Sequence, residues 1–450
     1  MATLESIKEY LEIFNQTDLK NNLSQITTQD LIENWEMLTE EEGRIIFRQL
    51  PLDMKIDLMN SLSAKDQEAI IRDLTDGGFP GIKQFLKEME PDDLVDIIQC
   101  ATPDVRKSVW ENLSEEVKRE MIFLLKFDED DAAGLMTPRY IAIRSNITVN
   151  QAVKFIRSQK TKDVETPYII YVVDQFKRLI GVLSLRELLE SDDSETIKDI
   201  MTTDVISVNE KTDQEETAKI LTTYGFLALP VVDDDNELLG IVTFDDIIDV
   251  IEEEQTEDIY KMGAISGKVV PYLDTSILGM VKKRVPWLVI LLFLGTVTTN
   301  VLSHYESIVM GAAFLFIFMP VITQTGGNVS NQSSALMIRG LATGEISTGD
   351  TLRILLREMA IGLIMGIITG AAIFLRGILF PPEITVFQAF AISMSLCFVV
   401  IFSGIVGALA PLFIHKLGMD PTVMSGPLLS TVIDVCGLSI YFELAKLFLR

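Results

Sequence analysis

The spacing of apolar positions takes three characters along the 450-residue chain. Up to about residue 127, apolar residues recur at helical spacing in short stretches, separated by polar stops such as "LPLD" (50–53), "LSAKD" (62–66), "MEPDD" (89–93) and "ATPD" (101–104). A stop followed by an apolar-periodic stretch reads as an N-cap and a short helix, so the pattern predicts an α-helical, superhelical N-terminal domain over 1–127. From 128 to 258 short apolar strands alternate with helices, which predicts an α/β region. From Pro286 onward the apolar runs lengthen to about 20 residues, enough to cross a bilayer. They fall at 286–303, 308–324, 355–380, 387–414 and 423–449, and predict a five-span α-helical transmembrane domain over 286–450. Residues 259–285 are read as a connecting helix between the two bodies.

The α/β region contains a repeat. "MTPRYIAIRSNITVNQAVKFIRSQ" from Met136, followed by "PYIIYVVDQFKRLIGVLSLRELL", matches "MTTDVISVNEKTDQEETAKILTTYGFLALPVVDDDNELLGIVTFDDII" from Met201. Asp174 to Asp233 and Gly181 to Gly240 are both offset by 59, while Met136 to Met201 is offset by 65 because the first copy has a longer middle. Each copy predicts a short strand, a helix, two apolar strands joined by a polar turn, and a helix. This pattern resembles the cystathionine-β-synthase (CBS) domain pair, with copies at 128–199 and 200–258, a regulatory rather than a catalytic module. The run Asp233, Asp234, Asp235 lacks the glycine and closing glutamate of a calcium loop and reads as a solvated turn.

Charge separates the two bodies. The chain has 65 Asp and Glu against 38 Lys and Arg, but from Pro286 onward only eight acids and seven bases occur, so −26 of the formal −27 lies before it. An acidic soluble body repels nucleic acid and attracts cations. Five spans put the ends on opposite sides. With the N-terminus inside, Lys282, Lys283, Arg284, Arg339, Arg353, Arg357 and Lys416 flank the cytoplasmic face, against Arg376, Lys446 and Arg450 outside, as the positive-inside rule requires. The start of the chain lacks a signal-peptide pattern. The expectation is a multi-pass protein of the cell (inner) membrane with cytoplasmic N-terminal domains. Cys100, Cys397 and Cys436 are too scattered for a disulfide framework or a thiolate metal site. His304 and His415 belong to no catalytic motif, so no enzyme is expected.

Within the apolar half, two features conflict with a bilayer. "PVITQTGGNVSNQSSALMIRG" (320–340) crowds glycines, amides and hydroxyls at membrane depth, which is tolerated where backbone packs on protein or lines a wet cavity. Small-residue helix packing would explain it, and so would a pore lining, since Asn328, Asn331 and Gln332 share one helical side. Asp434, in "STVIDVCGLSIYF" (430–442), has no basic residue in its own span until Lys446. A carboxylate there is costly, and a passing cation is the economical partner. Before the membrane, Asp245, Asp246, Asp249, Glu252, Glu253, Glu254, Glu257 and Asp258 crowd about four helical turns, either as a solvated face or as oxygen ligands for a hard divalent cation.

The order helical domain, CBS pair, connecting helix and five spans, with "PVITQTGGNVSNQ" and "GMDPTVMSGPLLSTVIDV", resembles the MgtE family of magnesium channels over essentially the whole chain. The resemblance implies a homodimer whose pore forms at the two-fold axis from the second and fifth spans, with Asp434 holding hydrated Mg²⁺ and Asn331, Gly426 and Ser430 lining the path. It further implies cytosolic Mg²⁺ sites that close the pore when internal Mg²⁺ is high, at Asp57, Asp92, Glu215, Asp246, Asp249, Glu254, Glu257, Asp258 and Asp420. Arg186 and Glu187 stand where relatives contact ATP, which makes ATP a candidate cofactor of the CBS pair. Three positions depart from the family pattern. Ser330 replaces a frequent glycine, Gly426 a pore-lining asparagine, and Gly225 a CBS carboxylate. A CBS-regulated carrier of another divalent cation and a membrane-anchored sensor are the competing readings. The first would place the membrane domain ahead of the CBS pair, and the second would leave Asp434 and Asn331 unexplained.

Overall fold

The computed structural model describes residues 26–158, 164–267, 272, 275–382, 384–424 and 426–448; the helical reading of residues 1–25 lies outside them. The chain divides into two compact units, Met1–Ile251 and Glu252–Arg450.

The first unit begins with helices α1 (Thr28–Asn34), α2 (Glu40–Gln49), α3 (Leu52–Ser61), α4 (Ala64–Asp76), α5 (Ile82–Glu88), α6 (Pro91–Cys100), α7 (Pro103–Asn112) and α8 (Glu115–Leu124). The polar stops start them as expected. Pro51 is the N-cap of α3, Ser63 caps α4 through the Asp66 amide, and Pro91 and Pro103 occupy first-turn positions of α6 and α7, where a missing N–H is harmless. From α2 on, each helix packs on the one two further along, giving a superhelical stack.

Two three-stranded sheets follow, β1 (Ile141–Arg144), β2 (Ile169–Val173) and β3 (Leu179–Ser184), then β4 (Val208–Asn209), β5 (Ala228–Val232) and β6 (Leu238–Thr243). In each, the first strand runs parallel and the third antiparallel to the middle one. Helices α9 (Val149–Ser158), α10 (Leu185–Glu190), α11 (Ile197–Ile200) and α12 (Gln214–Tyr224) connect them, and α13 (Phe244–Met262) follows. The repeat is reciprocal in space. Thr137 exchanges backbone hydrogen bonds with Ile241 while Thr202 exchanges them with Val182. Met136 packs on Gly240 and Met201 on Gly181, where an added Cβ would come within 2.7 and 2.6 Å of the sulfur. Each opening methionine thus inserts into the other copy, which is why the glycines keep the 59-residue offset. One core joins Leu31, Phe85 and Val105 of the stack to Leu229, Val242 and Val250 of the second copy. Gly225 closes α12 at φ 66, a left-handed cap that explains glycine there.

The second unit holds α14 (Ile277–His304), α15 (Glu306–Gly311), α16 (Phe314–Ala342), α17 (Thr351–Leu379), α18 (Val386–Lys416) and α19 (Gly426–Phe448). Among the described residues, four helices are long and apolar enough to cross a membrane: α14, α17, α18 and α19. The expected second span differs in two ways. Its helix runs over 314–342 rather than 308–324, and its amides and hydroxyls leave it outside those four. An apolar run marks only part of a helix whose polar half is covered by protein on one side, at Gly326, Ser330 and Ser333. The expected connecting helix over 259–285 is also revised: α13 ends at Met262 and α14 begins at Ile277. Ala264 takes φ 55, its N–H donates to Lys261 O, and the Ile265 N–H reaches Tyr260 O. This Schellman turn stops the helix.

Small residues set the bundle. Gly362, Gly366 and Gly370 of α17 lie against Ile401, Cys397 and Ser393 of α18, and the Ser393 hydroxyl donates to Gly370 O at 2.8 Å. Four-residue spacing of glycines brings backbones into direct contact. On α16, Gly326 faces Ile433, Ser403 and Val399, while Gly407 of α18 abuts the Ser330 backbone. No residue of α14 is buried within the chain.

Candidate functional site

The polar stretch of α16 meets α19 at one hydrogen bond: Asn331 Nδ2 donates to Ser430 Oγ at 3.2 Å. Gly327, one turn earlier, lets α19 approach, since an added Cβ would sit 3.5 Å from Ser430 Oγ. Asp434 follows Ser430 by four residues and so shares its face of α19. It is half-buried, and no described residue pairs with it. Asn331 Oδ1 is likewise buried without a partner among the described residues. Asn328 and Gln332, on the Asn331 side of α16, are exposed. The result is a face of acceptor oxygens and amides at membrane depth. Ser330 points the other way, buried, its hydroxyl donating to Gly327 O at 2.9 Å.

A second site lies in the first unit, where the acidic start of α6 meets the start of α13. Asp246 closes the cap of α13 by accepting from the Thr243 hydroxyl and backbone N–H. Asn60 of α3 donates to Asp93 Oδ2 at 2.5 Å. Burial, then the charges of Asp246, Glu90 and Asp93, push the Asp92 carboxyl well above the usual range. Its Oδ1 is wholly shielded and without a partner among the described residues. Burial raises Asp93 to about 6 against the opposing Asn60 hydrogen bond, with Asp245 and Asp249 adding to the rise. It likewise raises Asp246 to about 6 against its Thr243 cap. Glu90 and Glu165 are both pushed up, by burial first and by their neighbours' charges. So many carboxylates with raised pKa form a site whose negative charge is uncompensated. The donors are hard oxygens of the kind that suit Mg²⁺. As arranged here, no three Asp, Glu, His or Cys among the described residues stand close enough to hold an ion.

The third site is at the end of α13, within the second unit. Lys261 Nζ lies 2.8 Å from Glu257 Oε1 and 2.8 Å from Asp420 Oδ2. Burial opposes its charge, but the two carboxylates outweigh that and hold its pKa up. Burial would raise Asp420, yet hydrogen bonds from Lys261 and Thr422 hold it below its ordinary value. Gly426 opens α19 at φ 49, and a Cβ there would come 2.7 Å from Met262 O, the last carbonyl of α13. The position expected to line the path thus lies against the end of α13.

The expected ligands are therefore only partly gathered. Asp92 lies near Asp246 and Asp249 near Asp93, Glu257 and Asp420 share Lys261, and Glu254 and Asp258 are half-buried along α13. Asp57 and Glu215 are exposed, and among the described residues neither contributes to the raised carboxylates. Arg186 and Glu187 are exposed on α10. Glu187 forms a capping box with Ser184 at 2.7 and 2.8 Å, the same cap that Asp246 makes 59 residues later. Sequence reasoning missed Glu90, Asp93, Glu165 and Lys261. The first two flank Asp92 in "MEPDD", and Lys261 follows Glu257 by one helical turn.

A family model described as divalent cation transporter matches residues 319–444. A CBS domain model matches 132–193 and 197–253, and an MgtE intracellular N domain model matches 26–130. The chain is 36% identical over 448 residues to the magnesium transporter MgtE of Thermus thermophilus, covering 99% of this chain and 98% of that one. It is 30% identical over 433 residues to the magnesium transporter MgtE of Bacillus subtilis, covering 96% and 94%. Among solved structures it is similar to the cytosolic domain of the Mg²⁺ channel MgtE in complex with ATP, at 36% identity and a TM-score of 0.52, covering 55% of this chain and 99% of that chain.

Proposed function

This chain belongs to the MgtE family of magnesium transporters, and from that premise we propose that it carries Mg²⁺ across the cell (inner) membrane as a homodimer. The ion follows the face shared by α16 and α19, and carboxylates of the cytoplasmic domains sense internal Mg²⁺. The observation that carries the reading is Asp434, half-buried at membrane depth with no partner among the described residues. Mg²⁺ dehydrates reluctantly, so Asp434, Ser430 and Asn331 act on its water shell. The exposed amides of Asn328 and Gln332 require a wet or protein-covered neighbour, which a second copy supplies across a two-fold axis. In this reading α16 is the second of five spans, crossing with its polar face inward. ATP is the proposed nucleotide of the CBS pair, with Arg186 toward its phosphates; Glu187 is already engaged in its cap.

The test is Mg²⁺ uptake by proteoliposomes holding the full chain. Uptake falls as the internal Mg²⁺ set before the assay is raised; protein that passes no Mg²⁺ at any internal concentration would return the sensor reading.

Lys261 adds a consequence. Its ammonium stands between Glu257 and Asp420, where a divalent ion would otherwise bridge them, so Mg²⁺ has to displace a tethered cation. Lys261→Met is expected to lower the internal Mg²⁺ needed for half-closure by about three- to tenfold, equivalent to about 1 kcal/mol of relieved competition. Isothermal titration should show correspondingly tighter Mg²⁺ binding; an unmoved midpoint counts against displacement.

Gly426 gives the opposite sign. Gly426→Ala places a methyl group against Met262 O and strains a left-handed residue by about 1–2 kcal/mol. The end of α13 then loses its seat, and closure at saturating internal Mg²⁺ becomes incomplete while uptake at zero internal Mg²⁺ persists. Full closure of the variant in a vesicle flux assay would show that the seat is irrelevant to gating.

A further inference from the structure

One buried carboxylate lies outside the three sites. Glu358 of α17 is 6% exposed, and its only hydrogen-bond partner among the described residues is Ser333 of α16, whose hydroxyl donates to Oε2 at 2.9 Å. Gly404 of α18 leaves room for this contact, since a Cβ there would come 3.4 Å from Glu358 Oε2 and 3.8 Å from Ser333 Oγ. Beside it, Ser403 carries a buried hydroxyl with no partner among the described residues. A carboxylate enclosed at membrane depth is costly, so its retention signals a role.

Ser333 follows Asn331 by two residues, about 200° around the helix at about 100° per residue. The two hydrogen bonds, Ser333 to Glu358 and Asn331 to Ser430, therefore hold α16 from nearly opposite sides within one turn. Rotating α16 by a single residue would break both and turn Asn331 away from α19. We infer that Glu358 is a positioning residue for ion passage: through Ser333 it fixes the rotation of α16 that presents Asn331 toward Ser430 and the Asp434 face of α19. The inference rests on the reading that α16 and α19 line the ion's path. Gly404 and Ser333 are part of the same device, the first by its absence of a side chain and the second as the link.

The test uses the full chain in proteoliposomes with Glu358→Gln, Glu358→Leu, Ser333→Ala and the Leu/Ala double variant. Glu358→Gln keeps an oxygen to accept from Ser333 and should hold Mg²⁺ uptake within about twofold of wild type. Glu358→Leu should reduce uptake about tenfold or more and erode the preference for Mg²⁺ over Ca²⁺, and the double variant should be no worse than Glu358→Leu alone, as for two ends of one interaction. Rescue by Gln separates positioning from a general packing defect, and Ser333→Ala supplies the same comparison should Glu358→Leu fail to fold. Wild-type uptake and selectivity in both Glu358→Leu and Ser333→Ala would overturn the inference, as would a Gln variant as impaired as Leu. A second readout needs no transport: in a chain with its three cysteines replaced by serine, the maleimide labelling rate of Asn331→Cys in detergent should change about threefold or more when Glu358→Leu is added. An unchanged rate overturns the inference even where uptake is absent in the wild type, whereas absent wild-type uptake with a changed rate overturns only the transport reading.

Discussion

Asp434→Asn is expected to reduce Mg²⁺ uptake about 100-fold or more, because a full negative charge about 5 Å from a divalent ion contributes several kcal/mol at an effective dielectric of about 20. The amide preserves shape and one acceptor oxygen, so folding survives and the loss is electrostatic. Among the described residues nothing compensates the charge: Asp434 has neither an ion pair nor a hydrogen-bond partner there, unlike Glu358, which holds Ser333. Stability and flux separate two outcomes. If the carboxylate were structural, Asn would perturb stability and leave flux intact; if it holds hydrated Mg²⁺, detergent-solubilised protein should keep its thermal transition while vesicle flux disappears. Equal uptake by both proteins would remove Asp434 from the ion's path.

What the sequence made legible follows from what periodicity encodes. The 59-residue offset of the CBS copies carried directly into space, down to paired left-handed turns at Lys177 and Asn236, both at φ 63. The polar stops of the helical stack mark the helix starts because a cap such as Ser63 and a first-turn proline such as Pro91 or Pro103 act locally. Hydropathy alone places the second span too early because it registers only the apolar half of α16, while Gly326, Ser330 and Ser333 are buried by contacts with other helices. The connecting helix was drawn too long because its stop uses Ala264 rather than glycine at the left-handed position, a choice that no propensity signals. Lys261 escaped notice because its partner Asp420 is distant in sequence, and Glu358 because a single acid in an apolar run carries no spacing. The resemblance supplies candidate ligand positions that spacing alone does not, but it carries no sign of the contact at Gly426, where the absence of a side chain lets the Met262 carbonyl approach.

The acidic site of the first unit makes stability depend on pH in a direction opposite to that of most carboxylates, and Mg²⁺ should reverse it. Asp93 and Asp246 rise from 3.8 to about 6 in the folded chain, so the folded state favours their protonated forms. The stability this represents is fully present below about pH 4 and is lost as pH rises through about 6. Glu165, raised to about 7 chiefly by burial, extends the loss toward neutrality. Each raised Asp corresponds to about 3 kcal/mol, reduced by solvent screening and mutual coupling to about 1–2 kcal/mol. At pH 8 Asp93, Asp246 and Glu165 are ionised and repel one another, and a divalent ion that binds the folded arrangement adds about 2.7 kcal/mol at 100 times its dissociation constant. At pH 5 protons already neutralise the site and compete with Mg²⁺. Thermal unfolding of the full chain in detergent should therefore show Mg²⁺ raising Tm by several degrees at pH 8 and hardly at all at pH 5. In the absence of divalent ions, Tm of this unit should fall between those two values. Asp92→Asn removes the shielded carboxylate that burial and three neighbouring charges disfavour, so it should raise the Mg²⁺-free Tm at pH 8 while shrinking the Mg²⁺ response. A Mg²⁺ shift of equal size at both pH values would place the ion elsewhere, and a lower Mg²⁺-free Tm in Asp92→Asn would show that the carboxylate's contacts, not its repulsion, dominate.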